Sequence, residues 1–226
     1  MFKKSFMAMM ALFLVLFTAG CGGGKDDSKS AADKPEYSAD KAVLGYAEMY
    51  AFGATDHLKE TGLTESDVKA VKEKIIGDLI QSFSQFPLSD DNVVEMIGVY
   101  AGKLFTEMDI KATLKKDDPE NPVVTLSVCT LNNEGATKEA TTNEDIIALG
   151  TALGQLQAEG ITVDQLKENA DFQKAVMECI SNFIDKLPFN AETSMDVPCV
   201  KLKGSDGKLY WAPKDPAAVA QFVQPQ

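Results

Sequence analysis

His57 is the only histidine in this 226-residue chain, so any Ser-His-Asp or Cys-His nucleophilic site would have to be built on it. It stands in the polar run Thr55-Asp56-His57-Leu58-Lys59, which predicts a solvated surface position. No Gly-x-Ser-x-Gly elbow occurs, and no cysteine has a histidine near it in sequence. A transition-metal site made of several histidines is excluded by the count. Carboxylate pairs stand at Asp90-Asp91 and Asp117-Asp118, the first placed to cap a helix and the second to make a turn. Neither has the alternating oxygens, central glycine and closing glutamate of a calcium loop. Glycoside hydrolysis needs two well-placed carboxylates, a condition that 34 acidic residues make uninformative. Phosphate-binding glycine loops, dinucleotide fingerprints and Cys-x-x-Cys pairs are absent, so neither a cofactor nor a metal is expected. Met-rich and Phe-rich helix faces could line a ligand cavity, although plain core is the commoner use of such faces.

Cys21 is the residue with the most informative surroundings. Lys3 and Lys4 open the chain, Phe6 to Phe17 is an almost unbroken apolar run, and Thr18-Ala19-Gly20 leads into the cysteine. That order resembles a bacterial lipoprotein signal, with Thr18 standing where leucine is usual. The resemblance implies a leader over residues 1–20 that is cleaved before Cys21, whose thiol then carries a diacylglycerol. It also implies a location outside the cytoplasm on a membrane surface. The apolar run is too short to span a bilayer, which takes about 20 residues, and its layout fits a cleaved export signal. Residues 21–38, with Gly22-Gly23-Gly24 and then mostly Lys, Asp, Ser and Ala, bury too little apolar surface to order themselves. They are expected to form a flexible tether.

All 22 basic residues are lysine, against 34 acidic ones. Loss of Lys3 and Lys4 with the leader would take the formal charge from −12 to −14. Such a balance argues against nucleic acid and anionic lipid as partners. The absence of arginine removes the planar fork used to grip phosphates. Past Cys21 the cysteines are Cys129, Cys179 and Cys199, an odd number that leaves at least one thiol unpaired within the chain. Cys179 falls on a helix stripe, while Cys129 and Cys199 fall in expected strands. An exported compartment permits a bridge between those two.

The elements that would position these groups follow from periodicity. Val43, Tyr46, Ala47 and Tyr50 form one face of a first helix starting near Ser38 or Asp40. After a break at Gly62, Thr64 and Asp67 suggest a capping box. It opens a helix striped by Val68, Val71, Ile75, Leu79, Phe83 and Phe86, which Pro87 ends. Ser89 caps a third helix, Asp90 to Phe105, so apolar all round that burial on several sides is expected. Gly98 and Gly102 would let another backbone come close there. Ile110, Ala112 and Leu114 alternate with polar residues as a strand. The turn at residues 117–121 joins it to Val123–Leu131 as a hairpin. A polar linker is expected over Asn132–Asn143, then helices over Glu144–Ala158 and Thr162–Leu187, the latter interrupted near Asn169. A second hairpin pairs Pro198–Lys203 with Lys208–Trp211, and Asp215-Pro216 starts a short last helix.

Two stretches look alike. Gly62-Leu63-Thr64 and Gly160-Ile161-Thr162 each open a long helix, closed by Pro87 and Pro188, and each is later followed by a hairpin. Two helix-helix-hairpin units, 39–131 and 143–213, would then share one antiparallel sheet covered by the long helices. The similarity of any two capped amphipathic helices explains the same observation. The fold class is α+β, with amphipathic helices on an antiparallel sheet made of two hairpins, in one domain over residues 39–226. The helices-then-hairpin order and the strand Gly207-Lys208-Leu209-Tyr210-Trp211 resemble the nuclear-transport-factor-like and cystatin-like α+β lipoproteins. Those folds cup a sheet around a helix and often hold an apolar pocket; two helical blocks set this chain apart from them.

The function expected is that of a non-enzymatic binding or accessory lipoprotein of the cell envelope. Its partners would be the membrane, through its lipid, and a small apolar ligand or an envelope protein. A hydrolase working through carboxylates or Cys199, and a structural spacer, are the alternatives.

Overall fold

Between Ala39 and Tyr50, small and apolar residues recur so densely that a helix there can be covered on nearly every side. In the computed structural model, which describes residues 34–224, helix α1 (Ala39–Phe52) is covered in that way. Ala42, Val43 and Ala47 are inaccessible to solvent and Tyr46 nearly so. Ser38 takes the extended N-cap conformation before it. Gly53 ends it in the left-handed region, its N–H donating to the Met49 carbonyl at 2.8 Å. A one-turn helix α2 (Leu58–Thr61) follows, then α3 (Glu65–Phe83) and α4 (Asp90–Glu107). Strands β1 (Lys111–Lys116) and β2 (Val123–Val128) come next. After them run α5 (Asn133–Thr142), α6 (Glu144–Ala158), α7 (Val163–Glu168) and α8 (Ala170–Asp185). Strands β3 (Thr193–Lys203) and β4 (Leu209–Pro213) and helix α9 (Pro216–Val223) close the chain.

The fold is α+β. Its four strands form one antiparallel sheet in the order β1-β2-β3-β4. Period-two alternation decides which face is inside: Val124, Leu126 and Val128 of β2 are fully buried, while Val123, Thr125 and Ser127 are not. β3 is longer than the expected Pro198–Lys203. Its first half, from Thr193, pairs with β2, and its second half pairs with β4. One continuous strand therefore joins both hairpins. At the β1 edge, Lys111, Lys115 and Lys116 place charge where a bare edge would invite another strand.

The long helices do not cover the sheet, contrary to the repeat-based expectation. Helix α1 packs on β1, β2 and β4, and α9 packs on α1 and β4. Val124, Leu126, Val197, Cys199, Trp211, Val219 and Val223 complete that core. The small residues of α1 let backbones approach on several sides, which a long helix with one bulky stripe cannot do. The long helices instead build a second cluster, from Phe83, Leu88, Val93, Met96, Val176, Ile180 and Ile184. Gln173 on α8 ties it together. Its buried amide accepts from the Ser89 N–H (2.8 Å) and the Asn92 side chain (2.7 Å). It donates to the carbonyls of Pro87 (2.7 Å) and Leu166 (3.0 Å).

The two look-alike helix starts share their local geometry. Gly62 and Gly160 both have positive φ. Thr64 with Asp67, and Thr162 with Gln165, both form complete capping boxes. Asn169 ends α7 and caps α8, its side chain accepting from the Phe172 N–H. Asp215 caps α9, with Pro216 at its first position.

Two further expectations are corrected. Residues 132–143 are not a linker but helix α5, because Asn132 accepts from the Gly135 N–H at its start. Asn143 then ends α5 and caps α6, accepting from the N–H groups of Asp145 and Ile146. Helix α4 is not enclosed on several sides. Val94 is 66% exposed, and nothing lies within 4 Å of where a Cβ would stand on Gly98 or Gly102.

Candidate functional site

The left-handed Gly53 that ends α1 sends the chain back over the same helix, and α2 settles on it. Gly45 makes the approach possible: a Cβ there would lie 2.7 Å from the Thr61 methyl and 2.9 Å from the His57 carbonyl. His57 keeps a partly solvated position, its side chain 37% exposed, but lies between two carboxylates. Its Nε2 lies 3.7 Å from Glu48 Oε2 on α1, and its Nδ1 lies 3.7 Å from Glu60 Oε1 on α2. Glu60 is 6% exposed, with Lys59 Nζ 3.8 Å from its carboxylate. His57 Nδ1 and Glu60 Oε2 are buried without a hydrogen-bond partner. Burial raises the affinity of Glu48 for its proton. His57 opposes that shift, and Asp56 and Glu60 add to it.

Glu48 also faces a cleft of about 380 Å³, lined by Glu48 and Phe52 of α1, Phe105 and Thr106 of α4, and Asp109 and Ile110 before β1. The rings of Phe52 and Phe105 stand 5.4 Å apart, tilted by 58°, a favourable edge-biased arrangement. Phe105 is nevertheless 59% exposed. Asp109 has φ +43°, an uncommon conformation for a residue with a side chain, and its carboxylate pairs with Lys111. A second concavity, of about 450 Å³, opens between α6, α7 and α8, where Leu156, Ile161, Leu166 and Phe172 meet Gln165 and Asn169.

The cysteines stay apart from both places. Cys199 is buried in β3 and its N–H donates to the Pro122 carbonyl, whereas Cys129 follows the far end of β2. Seven residues of strand separate the two levels, on the order of 20 Å, and a disulfide needs Cα atoms within about 7 Å. The bridge expected between Cys129 and Cys199 is therefore ruled out by register, and both are free thiols, as is Cys179. Burial pushes the Cys199 thiol up to about 12, which leaves it protonated and a poor nucleophile at neutral pH. Cys21 lies outside the described residues. Among the described residues no group of three or more His, Cys, Asp and Glu side chains is placed to hold a metal ion, and no helix is long and apolar enough to cross a membrane.

Nothing local in the sequence marked the cleft. Phe52 and Phe105 come together only because α1 and α4 end near one another beside the start of β1, and the periodic stripes that locate helices say nothing of where those helices end in space.

No family model matches the chain, and no curated protein is similar to it. A solved structure, YcdA of Bacillus subtilis, which is named as a candidate lipoprotein, is similar over 83% of this chain and 56% of its own, at 16% identity and a TM-score of 0.47. The chain thus spans little more than half the length of that protein, and a likeness of this degree says nothing of function.

Proposed function

We propose that this chain is a lipid-tethered, non-catalytic binding module of the bacterial cell envelope, held at the membrane through Cys21 and taking a small ligand or an envelope protein on its helical side. The observation that carries this reading is the distribution of apolar surface. Among the described residues, α3, α4, α6 and α7 leave Ile76, Ile80, Val94, Phe105, Ile147 and Val163 exposed, against Leu114 and Leu202 on the strands, and one concavity opens between α6, α7 and α8 and another at Phe105. The protonated, buried thiol of Cys199 counts against the cysteine hydrolase. A carboxylate hydrolase retains one favourable observation, the raised proton affinity of Glu48 beside His57.

A native mass spectrum of residues 25–226, gently purified from a bacterial host, tests the reading. Excess mass that leaves on denaturation supports it. A clean mass, together with no cross-linked partner for the tethered full chain, would sink it. Cys21→Ser is expected to block lipidation and leave unprocessed precursor; normal maturation of that variant refutes the tether.

A further inference from the structure

The cleft at the α1–α4 corner has a composition that selects among ligand chemistries. Its six lining residues supply two carboxylates, two aromatic rings, one hydroxyl and one aliphatic side chain, and no cationic group. One lysine reaches the rim, where Lys111 pairs with the lining residue Asp109 and with Glu192 at 3.6 Å, and Lys103 pairs with Glu107 at 3.1 Å. An anion would find that rim lysine already neutralised by two carboxylates. A neutral apolar ligand would strip water from Glu48 and return nothing to it. A hard metal ion asks for six or more oxygens, which the cleft does not assemble.

We propose that this cleft binds an organic ammonium ion, whose carbon-clad charge sits against the Phe52 and Phe105 rings with the Glu48 carboxylate as its counter-ion. Ring faces attract cations through their quadrupole, most effectively when water is excluded. Glu48 is the counter-ion rather than Asp109, because Asp109 is already shared with Lys111. Asp109 adds negative field at the rim. His57 Nε2 lies 3.7 Å from the Glu48 carboxylate and does not line the cleft. The uncommon backbone of Asp109 and the unusual exposure of Phe105 both fall in the cleft lining, where local strain and exposed apolar surface are expected of a binding site. This proposal rests on the binding-module reading and names the ligand class of one of its sites.

The test is a calorimetric titration of choline chloride into the full chain in non-ionic detergent. Sodium chloride serves as the ionic control and 3,3-dimethyl-1-butanol as the uncharged isostere of choline. The expected result is saturable choline binding, about fivefold or more tighter than that of the isostere. Phe105→Ala and Glu48→Gln are each expected to weaken it by a similar factor. Phe105 is largely exposed, so its replacement lowers the melting temperature only by the loss of its contact with Phe52, and Glu48→Gln provides a second variant of equal size. Absence of saturable heat, equal binding of choline and its isostere, or indifference to both variants overturns the proposal. If choline does not bind while the native spectrum carries a ligand mass, the ammonium assignment fails and the binding module stands. If neither is seen and no partner cross-links, both fail.

Discussion

The half of the chain gathered on the sheet and the half made of α3 to α8 bury their apolar residues differently. On the sheet side, one helix rich in alanine, α1, is wrapped by strands and by α9, and its core residues reach zero exposure. On the helical side, bulky stripes meet along narrow seams, and α5 and α6 have no buried residue at all. α6 is nonetheless strongly apolar in composition. The first half buries most of its large apolar side chains, leaving Leu114 and Leu202 exposed, and the second keeps a larger share at the surface.

The sharpest test of this contrast is a pair of truncations. Leu126→Ala, in the middle of the buried face of β2, is expected to cost about 2–5 kcal/mol in urea unfolding, whereas Ile80→Ala, 43% exposed on α3, stays within about 0.5 kcal/mol. Similar losses at the two positions would erase the distinction. Gly62 and Gly160 offer a second pairing, because the same left-handed start is packed in one case and open in the other. A Cβ on Gly62 would lie 2.4 Å from the Tyr210 ring, while nothing surrounds Gly160. Gly160→Ala is expected to lose about 1–2 kcal/mol from backbone strain alone, and Gly62→Ala about 2–4 kcal/mol because crowding adds to it. Equal melting shifts for the two would show that Tyr210 simply moves aside.

Within the helical half, Gln173→Ala leaves the Ser89 N–H and two carbonyls without their partner. A loss of about 1–3 kcal/mol is expected by chemical denaturation; a negligible one would mean that the amide staple is replaceable by water. The gentlest probe is acid. Lys116, and then the N–H groups of Glu120 and Asn121, hold the Asp118 carboxyl well below the usual range, and Lys115 does the same for Asp196. A depressed carboxyl contributes stability above its ordinary pKa of 3.8 and loses it as pH falls through the lowered value. Protection of the amides in the β1–β2 turn, measured relative to their intrinsic exchange at each pH, is therefore expected to fall below about pH 4. Protection that is unchanged from neutral pH down to about pH 2 would remove these contacts from the account.

Legibility in the sequence tracked how local the cause was. The Thr64–Asp67 capping box, the interruption near Asn169 and the Asp215-Pro216 start depend on residues within three or four positions, and each was readable. Helix α5 was not, because Thr137, Thr141 and Thr142 dilute its helical character. In the structure their hydroxyls donate to carbonyls within the helix. The first half of β3 was missed for a different reason: Thr193, Ser194 and Asp196 carry no apolar alternation, and pairing with β2 is what makes them a strand. The position of His57 followed from the missing side chain of Gly45, twelve residues away and on another helix. The cleft was the least legible feature, since two helix ends and a bend before β1 have to converge before it exists.

The continuous strand β3 has a consequence for the order of events as the chain is made. Val123 pairs with Pro198, 75 residues later, so β1 and β2 emerge long before the strand that completes their sheet. The loop between them holds four helices, and their docking shortens the search that a structureless loop of that length would face. The cover of α1 is finished later still, by Val219 and Val223 near the end of the described chain. During synthesis, the most deeply buried helix of the domain therefore waits for nearly the last described residues before it is shielded, an interval in which its apolar faces stay open to non-native contacts.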